Sequence, residues 1–299
     1  MSQSASNEVV DGLRLGFLAS GELGACVLES LDLHAQICFI CTNRASVGVI
    51  EYATRHEIPM ALGNPRNAIA MQQLGERDVD VLLSVNYMYL IEEDLITLPR
   101  MAAINFHGSL LPRYRGRTPH VWAIINGESE TGITAHRIVP ECDAGDILLQ
   151  KAIPIGPNDT GASILSQFKS LYPQVVRDVL TALSSEKPFF SQNETLASYF
   201  GKRTPSDGGI NWSWHRVRIR NWVRAQTPPY PGAFSRCHGR QIGVYWVEMS
   251  DLGFRDQQPN GLILSKNESS FFVKAPDGVL EVTDYEFDQG HLRVGDVLI

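Results

Sequence analysis

No hydrophobic run in this 299-residue sequence approaches the ~18 residues that a membrane-spanning helix needs. Its first residues, MSQSASNEVVDG, also lack the basic start and apolar stretch of a secretion signal, so a soluble, cytoplasmic protein is expected. Cysteine is scarce. The five, at positions 26, 38, 41, 142 and 237, are an odd number with one close pair and no second pair to complete a zinc site. No metal is therefore expected, and Cys38 and Cys41, inside an apolar run, read as buried strand residues rather than a redox motif. Positive charge is in deficit too. A formal net charge of −7 argues against a partner held by bulk electrostatics, nucleic acid above all, while leaving local basic patches able to hold a phosphate.

What is present is an alternation of short β-rich apolar runs with amphipathic segments over the first two-thirds of the chain. LRLGFLAS (13–20), QICFICT (36–42), VDVLLSVNY (79–87) and AAINFHG (102–108) read as strands. ELGACVLESL (22–31), VGVIEYATRHE (47–57) and a long stretch over about 160–183 read as helices, and GITAHRIV (132–139) and DILLQKAIPI (146–155) as paired late strands. That order predicts a Rossmann-like, doubly wound, mainly parallel sheet with helices on both faces. After about residue 203 the texture changes to short strands punctuated by Gly, Asn-Gly and Asp-Gly turns, which predicts a smaller β-rich, OB-like barrel. The expected domains are therefore 1–203 and 204–299.

In a doubly wound sheet, ligands bind at the carboxyl ends of the strands near the point where strand order reverses. The first strand ends in ASGELG, with Gly21 and Gly24 at a helix start, where they serve either an anionic ligand or only a tight turn. This is not the Gly-x-Gly-x-x-Gly of dinucleotide binders, and CTNRAS after the second strand lacks the acidic residue a ribose would want, which weighs against an NAD-dependent oxidoreductase.

The stretch INFHGSLLPRYRGRTPHVW (104–122) carries the strongest chemical signal. On a strand, Asn105 and His107 share one face while Phe106 points the other way, so an amide and a titratable imidazole project together into the crevice. Such a pair suits acyl transfer, the amide holding a developing oxyanion and the imidazole supplying charge or a proton. It equally describes a satisfied core histidine beside a turn Asn. Ser109 lacks the Gly-x-Ser-x-Gly elbow of a covalent hydrolase, which favours direct transfer to an amine. Asp143, in the turn VPECDAGDILL, is the better placed of two aspartates to serve as a third group. It could also bond only local backbone.

The 45-residue run INFHGSLLPRYRGRTPHVWAIINGESETGITAHRIVPECDAGDIL resembles the folate-dependent formyltransferases, whose pattern is Asn-x-His, Ser-Leu-Leu-Pro-x-Tyr-Arg-Gly, Gly-Glu-x-x-Thr-Gly and Asp-x-Gly. FGKRTPSDGGINW and RNWVRAQTPPYPGAF are similar to the start of the second domain in nucleotide-sugar N-formyltransferases, the enzyme acting on UDP-4-amino-arabinose among them. The resemblance implies N10-formyltetrahydrofolate as formyl donor, with Asn105 and His107 stabilising the oxyanion and Asp143 orienting His107. It places the pterin against the backbone of Tyr89, Leu90 and Ile91, under the loop Val139, Pro140, Glu141, Cys142 to Asp143, with Arg117 contributing.

The same resemblance implies as acceptor a nucleotide-linked amino sugar of the lipopolysaccharide or O-antigen type, and the edges of the β-rich second domain offer a surface for the expected homodimer. The alternatives are the initiator methionyl-tRNA and another small amine such as hydroxyornithine. Residues 204–299 hold slightly more acidic than basic side chains, and CTNRASVGVIEY is short for a tRNA-gripping insertion, so the amino sugar is preferred. Its expected contacts are Ser20 and Gly21, Arg113, Tyr114 and Arg115, and Lys202 and Arg203, since the arginine fork suits a pyrophosphate. Tyr230 either lines the sugar pocket or braces a turn, and Arg216, Arg220 and Arg224 read as a solvated helical stripe.

Overall fold

The computed structural model describes residues 12–31, 36–75, 77–287 and 291–299. They form two compact units. Among the described residues, the first is built from 12–116, 131–153 and 166–200, the second from 117–130, 154–165 and 201–299. The units are thus interleaved in sequence, and residues 117–130 and 154–165, on the first-domain side of the expected boundary, cluster with the second.

In the first unit, β1 (Arg14–Ala19), α1 (Gly21–Ser30), β2 (Gln36–Thr42), α2 (Val47–Arg55), β3 (Met60–Leu62), α3 (Ile69–Leu74), β4 (Val81–Val85), α4 (Glu93–Ile96) and β5 (Ala102–His107) follow one another. The short β6 (Arg115–Gly116) comes next, then β7 (Glu130–Arg137), β8 (Ile147–Pro154), most of α6 (Gly161–Ser184) and β9 (Tyr199–Phe200), which pairs with β6. The seven-stranded sheet has the order β3-β2-β1-β4-β5-β7-β8. Pairs from β3 to β5 are parallel and β5–β7 is antiparallel. Strand order reverses at β1/β4, so the ligand crevice of a doubly wound sheet falls at the carboxyl ends of β1, β4 and β5.

The central strands read as unbroken apolar runs because both faces are covered. Phe17, Phe39, Ile40, Leu82, Leu83 and Ile104 are fully buried. Cys38 and Cys41 lie buried in β2, as their apolar context predicts.

The second unit contains α5 (Pro119–Ile125), α7 (Arg216–Ala225) and five strands: β10 (Ala233–Cys237), β11 (Arg240–Ser250), β12 (Ile263–Lys266), β13 (Phe271–Ala275) and β14 (Gly278–Glu286). The strands form an antiparallel sheet ordered β10-β11-β14-β13-β12, over a core that includes Trp212, Ile219, Val223, Val244 and Leu280. The edge strands β10 and β12 do not pair with each other. Residues 297–299 stand between them: Arg236 and Ile299 exchange backbone hydrogen bonds of 2.7 and 2.9 Å, Leu298 N donates to Gly261 O at 2.9 Å, and Leu262 bridges Val297. The expected barrel is therefore a curled sheet whose two edges the C-terminal residues join.

The arginines of α7 correct the solvated-stripe expectation. Arg224 is 5% exposed and donates to the carbonyls of Gly156 (3.2 Å) and Asp159 (2.5 Å), and Arg220 donates to Pro157 O (2.6 Å). These charged donors tie the carbonyls of the 156–159 turn to α7, in the unit with which residues 154–165 cluster. No helix among the described residues is long and apolar enough to cross a membrane.

Candidate active site

β5 delivers Asn105 and His107 to one face by simple alternation. Phe106, between them, turns to the other face and meets the ring of Tyr172 on α6. The antiparallel register sets Asn105 opposite His136 of β7 and His107 opposite Thr134. Asp143 arrives from the β7–β8 connection with φ 55°, a left-handed conformation that Asp tolerates better than most residues. Two features fix that turn. Gln192 Nε2 donates to the carbonyls of Asp143 (2.8 Å) and Gly145 (2.7 Å), and Gly145 has no room for a side chain, since a Cβ there would lie 2.1 Å from Arg137 O.

The Asp143 carboxylate is the hub. Oδ2 accepts the Gly116 N–H at 2.9 Å, and Oδ1 lies 3.5 Å from His107 Nδ1, 3.5 Å from Asn105 Nδ2 and 3.6 Å from His136 Nε2. Hydrogen-bond partners define the tautomers. His107 Nε2 sits 2.8 Å from the Tyr114 carbonyl, which can only accept, so Nε2 carries the proton and Nδ1, facing Asp143, is the basic nitrogen. His136 Nδ1 sits 2.8 Å from the Arg137 carbonyl and is therefore protonated, which leaves its Nε2 to accept from Asn105 Nδ2 at 3.2 Å. His136 thus sets which way the Asn105 amide faces. Of the two amide N–H bonds, one is spent on His136 and the other, at 3.5 Å from Asp143, is only loosely held.

Burial lowers the His107 pKa from its usual 6.5, against the opposing pull of Asp143, because a charged imidazole loses its water there. Burial alone would raise Asp143. The adjacent His107 imidazole and the Gly116 N–H outweigh it and hold the carboxyl well below the usual carboxylate range. The resting pair is a neutral imidazole beside a carboxylate. Such a pair can take up one proton at Nδ1 and stabilise the resulting imidazolium.

Around this cluster, Tyr89, Leu90 and Ile91 lie in the segment after β4. Leu90 is 59% exposed, and among the described residues the backbone N–H groups of the three make no backbone hydrogen bond, which suits them to meet a flat, polar-edged ring. The segment 139–143 is non-helical and exposed from Pro140 to Cys142. Ser20 and Gly21 stand at the carboxyl end of β1, where Ser46 Oγ accepts the Gly21 N–H at 2.8 Å. Arg113 is exposed, and Tyr114 stacks on Phe200 at 4.8 Å.

Three of the expected acceptor contacts are otherwise occupied. Arg115 is fully buried, and its guanidinium donates to Gln192 (2.7 Å), Glu194 (2.6 and 2.9 Å) and Tyr199 (2.5 Å), so it braces residues 192–199 and cannot reach a pyrophosphate. Arg203, in the second unit, lies over the Trp122 and Trp222 rings and donates to Gln226 Oε1 at 2.7 Å. Tyr230 is hydrogen-bonded through its hydroxyl to His120 Nε2 at 2.5 Å, the bracing role. Arg117 and Lys202 are exposed residues of the second unit. His136 and Gln192 are absent from the sequence reading. Alternation on GITAHRIV could have flagged His136 once β7 was paired with β5; nothing local marks Gln192.

Two family models match the chain: formyl transferase over residues 19–180 and formyl transferase, C-terminal domain, over residues 202–293. Among solved structures, the chain is similar to an N-formyltransferase from Helicobacter canadensis in complex with folinic acid and dTDP-3-aminofucose. That match has 18% identity and a TM-score of 0.70, covering 92% of this chain and 100% of that one. It is also similar to WlaRD, a sugar 3N-formyl transferase, at 16% identity and a TM-score of 0.68, covering 93% and 99%. The methionyl-tRNA formyltransferase of Clostridium thermocellum matches at 14% identity and a TM-score of 0.57, covering 80% and 94%. At these identities the likeness shows the fold.

Proposed function

Because the chain belongs to the formyl transferase family, we propose that it moves a formyl group from N10-formyltetrahydrofolate to the amine of a nucleotide-linked amino sugar. The observation that carries this reading is the meeting of Asn105, His107 and Asp143 within 3.5 Å at the carboxyl end of β5, beside the reversal of strand order. The segment Tyr89–Leu90–Ile91, whose backbone N–H groups make no backbone hydrogen bond among the described residues, would take the edge of the pterin, and the loop 139–143, exposed from Pro140 to Cys142, would cover it.

When bound, the formylated folate supplies the electrophilic formyl carbon; the rest falls to side chains. The loosely held N–H of Asn105 turns from Asp143 to the formyl oxygen as negative charge develops there. His107 Nδ1 accepts the proton that the attacking amine must lose and returns it to N10 as the bond from the formyl carbon to N10 breaks and tetrahydrofolate leaves; Asp143 stabilises the imidazolium in between. His136 keeps the amide from flipping, so its donor and not its carbonyl faces the reaction.

An amino-sugar acceptor is supported by the near-complete mutual coverage with two sugar N-formyltransferases and by the second unit's slight excess of acidic side chains, which offers tRNA no electrostatic grip. We place the reaction in the cytoplasm, in the supply of formylated sugars for lipopolysaccharide or O-antigen, by a homodimer. The test is to incubate the protein with N10-formyltetrahydrofolate and a panel of UDP-, dTDP- and GDP-linked amino sugars and to follow by mass the gain of one formyl group. Product only with charged initiator tRNA, or only with hydroxyornithine, overturns the acceptor. No product with any amine overturns the transfer.

A further inference from the structure

The second unit brings Asp296 to the adjacent pair Cys237 and His238, three metal-ligating side chains. Cys237 ends β10, His238 follows it in the turn to β11, and Asp296 comes from the residues that join the sheet's edges; their ligand atoms all lie within 4.8 Å of one another. The turn is a two-residue hairpin loop. His238 (φ 50°) and Gly239 (φ 77°) are both left-handed, Cys237 pairs with Arg240 across it, and His is among the few non-glycine residues that take this conformation readily. Asp296 Oδ2 accepts the Arg293 N–H at 2.8 Å, which aims Oδ1 at His238 Nε2, 2.9 Å away. Cys237 is 1% exposed and His238 largely exposed, so the cluster has one buried anchor and one side open to water.

From this arrangement we propose that Cys237, His238 and Asp296 form a zinc site, with the fourth tetrahedral position left to water. A thiolate, an imidazole and a carboxylate are a zinc donor set, and the thiolate disfavours the hard cations magnesium and calcium. Zinc binding needs the Cys237 sulfur, within 4.8 Å of the other two ligand atoms, to settle about 3.5 Å from each, given a Zn–S bond of about 2.3 Å. Bonds of about 2.0 Å to nitrogen and oxygen at a tetrahedral angle separate those atoms by ~3.3 Å, so the His238–Asp296 contact opens by about 0.4 Å to admit the ion. Because a thiolate is the ligand form, the ion displaces the Cys237 proton from sulfur to solvent on binding. The bound ion ties the β10–β11 turn to the residues that join the sheet's two edges, which makes its effect one of stability, independent of formyl transfer.

The test uses the full chain without a histidine tag, stripped with a chelator and reloaded with Zn²⁺, or with Co²⁺ as a spectroscopic substitute. One ion per chain is expected, with a near-ultraviolet thiolate-to-cobalt band and a melting temperature that rises with zinc and not with magnesium. Cys237→Ser abolishes the band. His238→Asn, which keeps a residue suited to the left-handed turn, weakens zinc binding at least about tenfold while leaving the metal-free melting temperature near native. Failure of the wild type to retain zinc overturns the site. So does a band or affinity that persists in both variants, since the ion would then sit on other cysteines.

Discussion

Replacing Asp143 with Asn keeps the shape of the hub and removes its charge. The Asn carbonyl can still accept the Gly116 N–H at 2.9 Å, and the backbone remains held by Gln192, so the turn should persist. His107 loses its anion. A full charge 3.5 Å from Nδ1 stabilises an imidazolium by about 4–5 kcal/mol at an effective dielectric of ~20. With burial already lowering that imidazole, the substituted site leaves it too weak a base to take the amine's proton. At ~1.4 kcal/mol per factor of ten, and within the range that general-base catalysis contributes, kcat should fall about 1,000-fold, with bounds near 100 and 10,000. Raising the pH should not rescue it, because the imidazole is neutral already. The assay is steady-state formyl transfer at saturating donor and acceptor, with thermal unfolding as the control. Near-native kcat in a folded Asp143→Asn protein would refute the base role of His107, whatever its effect on KM.

Asn105→Ala should cost about 100- to 1,000-fold in kcat, the usual loss of one oxyanion donor, with a native melting temperature and little change in KM; a loss confined to KM would assign Asn105 to binding. Because burial depresses His107, kcat/KM should stay level as the pH falls past 6.5 and drop only below it, and a profile breaking above 6.5 would contradict the neutral resting state. Stability follows the same sign: the depressed imidazole contributes fully above its ordinary pKa and progressively less below it, because the unfolded chain binds that proton more readily, and depressed Asp143 adds a second loss once the pH enters the ordinary carboxylate range. Arg115→Ala should lower the melting temperature without raising the acceptor's KM disproportionately to kcat; a raised KM in a protein of native stability would restore Arg115 to the substrate site.

The strand-and-helix alternation was legible because local hydrophobic period and burial agree along β1, β2, β4 and β5. Asn105 and His107 sharing a face follows from strand geometry alone. What sequence could not supply is anything that depends on which strand lies beside which. His136 sits 31 residues from Asn105 and becomes its partner only through the antiparallel β5–β7 register. Arg115 looks, in PRYRGRTP, like a phosphate ligand, and only the fold reveals Glu194 and Gln192 waiting for it 79 and 77 residues on. The arginines of α7 show the same limit. Helical spacing put them on one stripe, but the carbonyls they satisfy belong to a loop more than 60 residues earlier.

Gln192 sets the smallest piece of this chain that could keep a competent Asp143. The family model of the catalytic half ends at residue 180, and a fragment cut there would contain every residue of the Asn-x-His motif and of the Asp143 turn. It would lose the two hydrogen bonds from Gln192 to the turn carbonyls, the Ser198 hydroxyl that accepts the Tyr114 N–H, and β9, whose Phe200 packs against Tyr114. Transplanting the motif into another scaffold therefore means carrying residues 189–200 with it, as a splint laid along the outside of the catalytic turn.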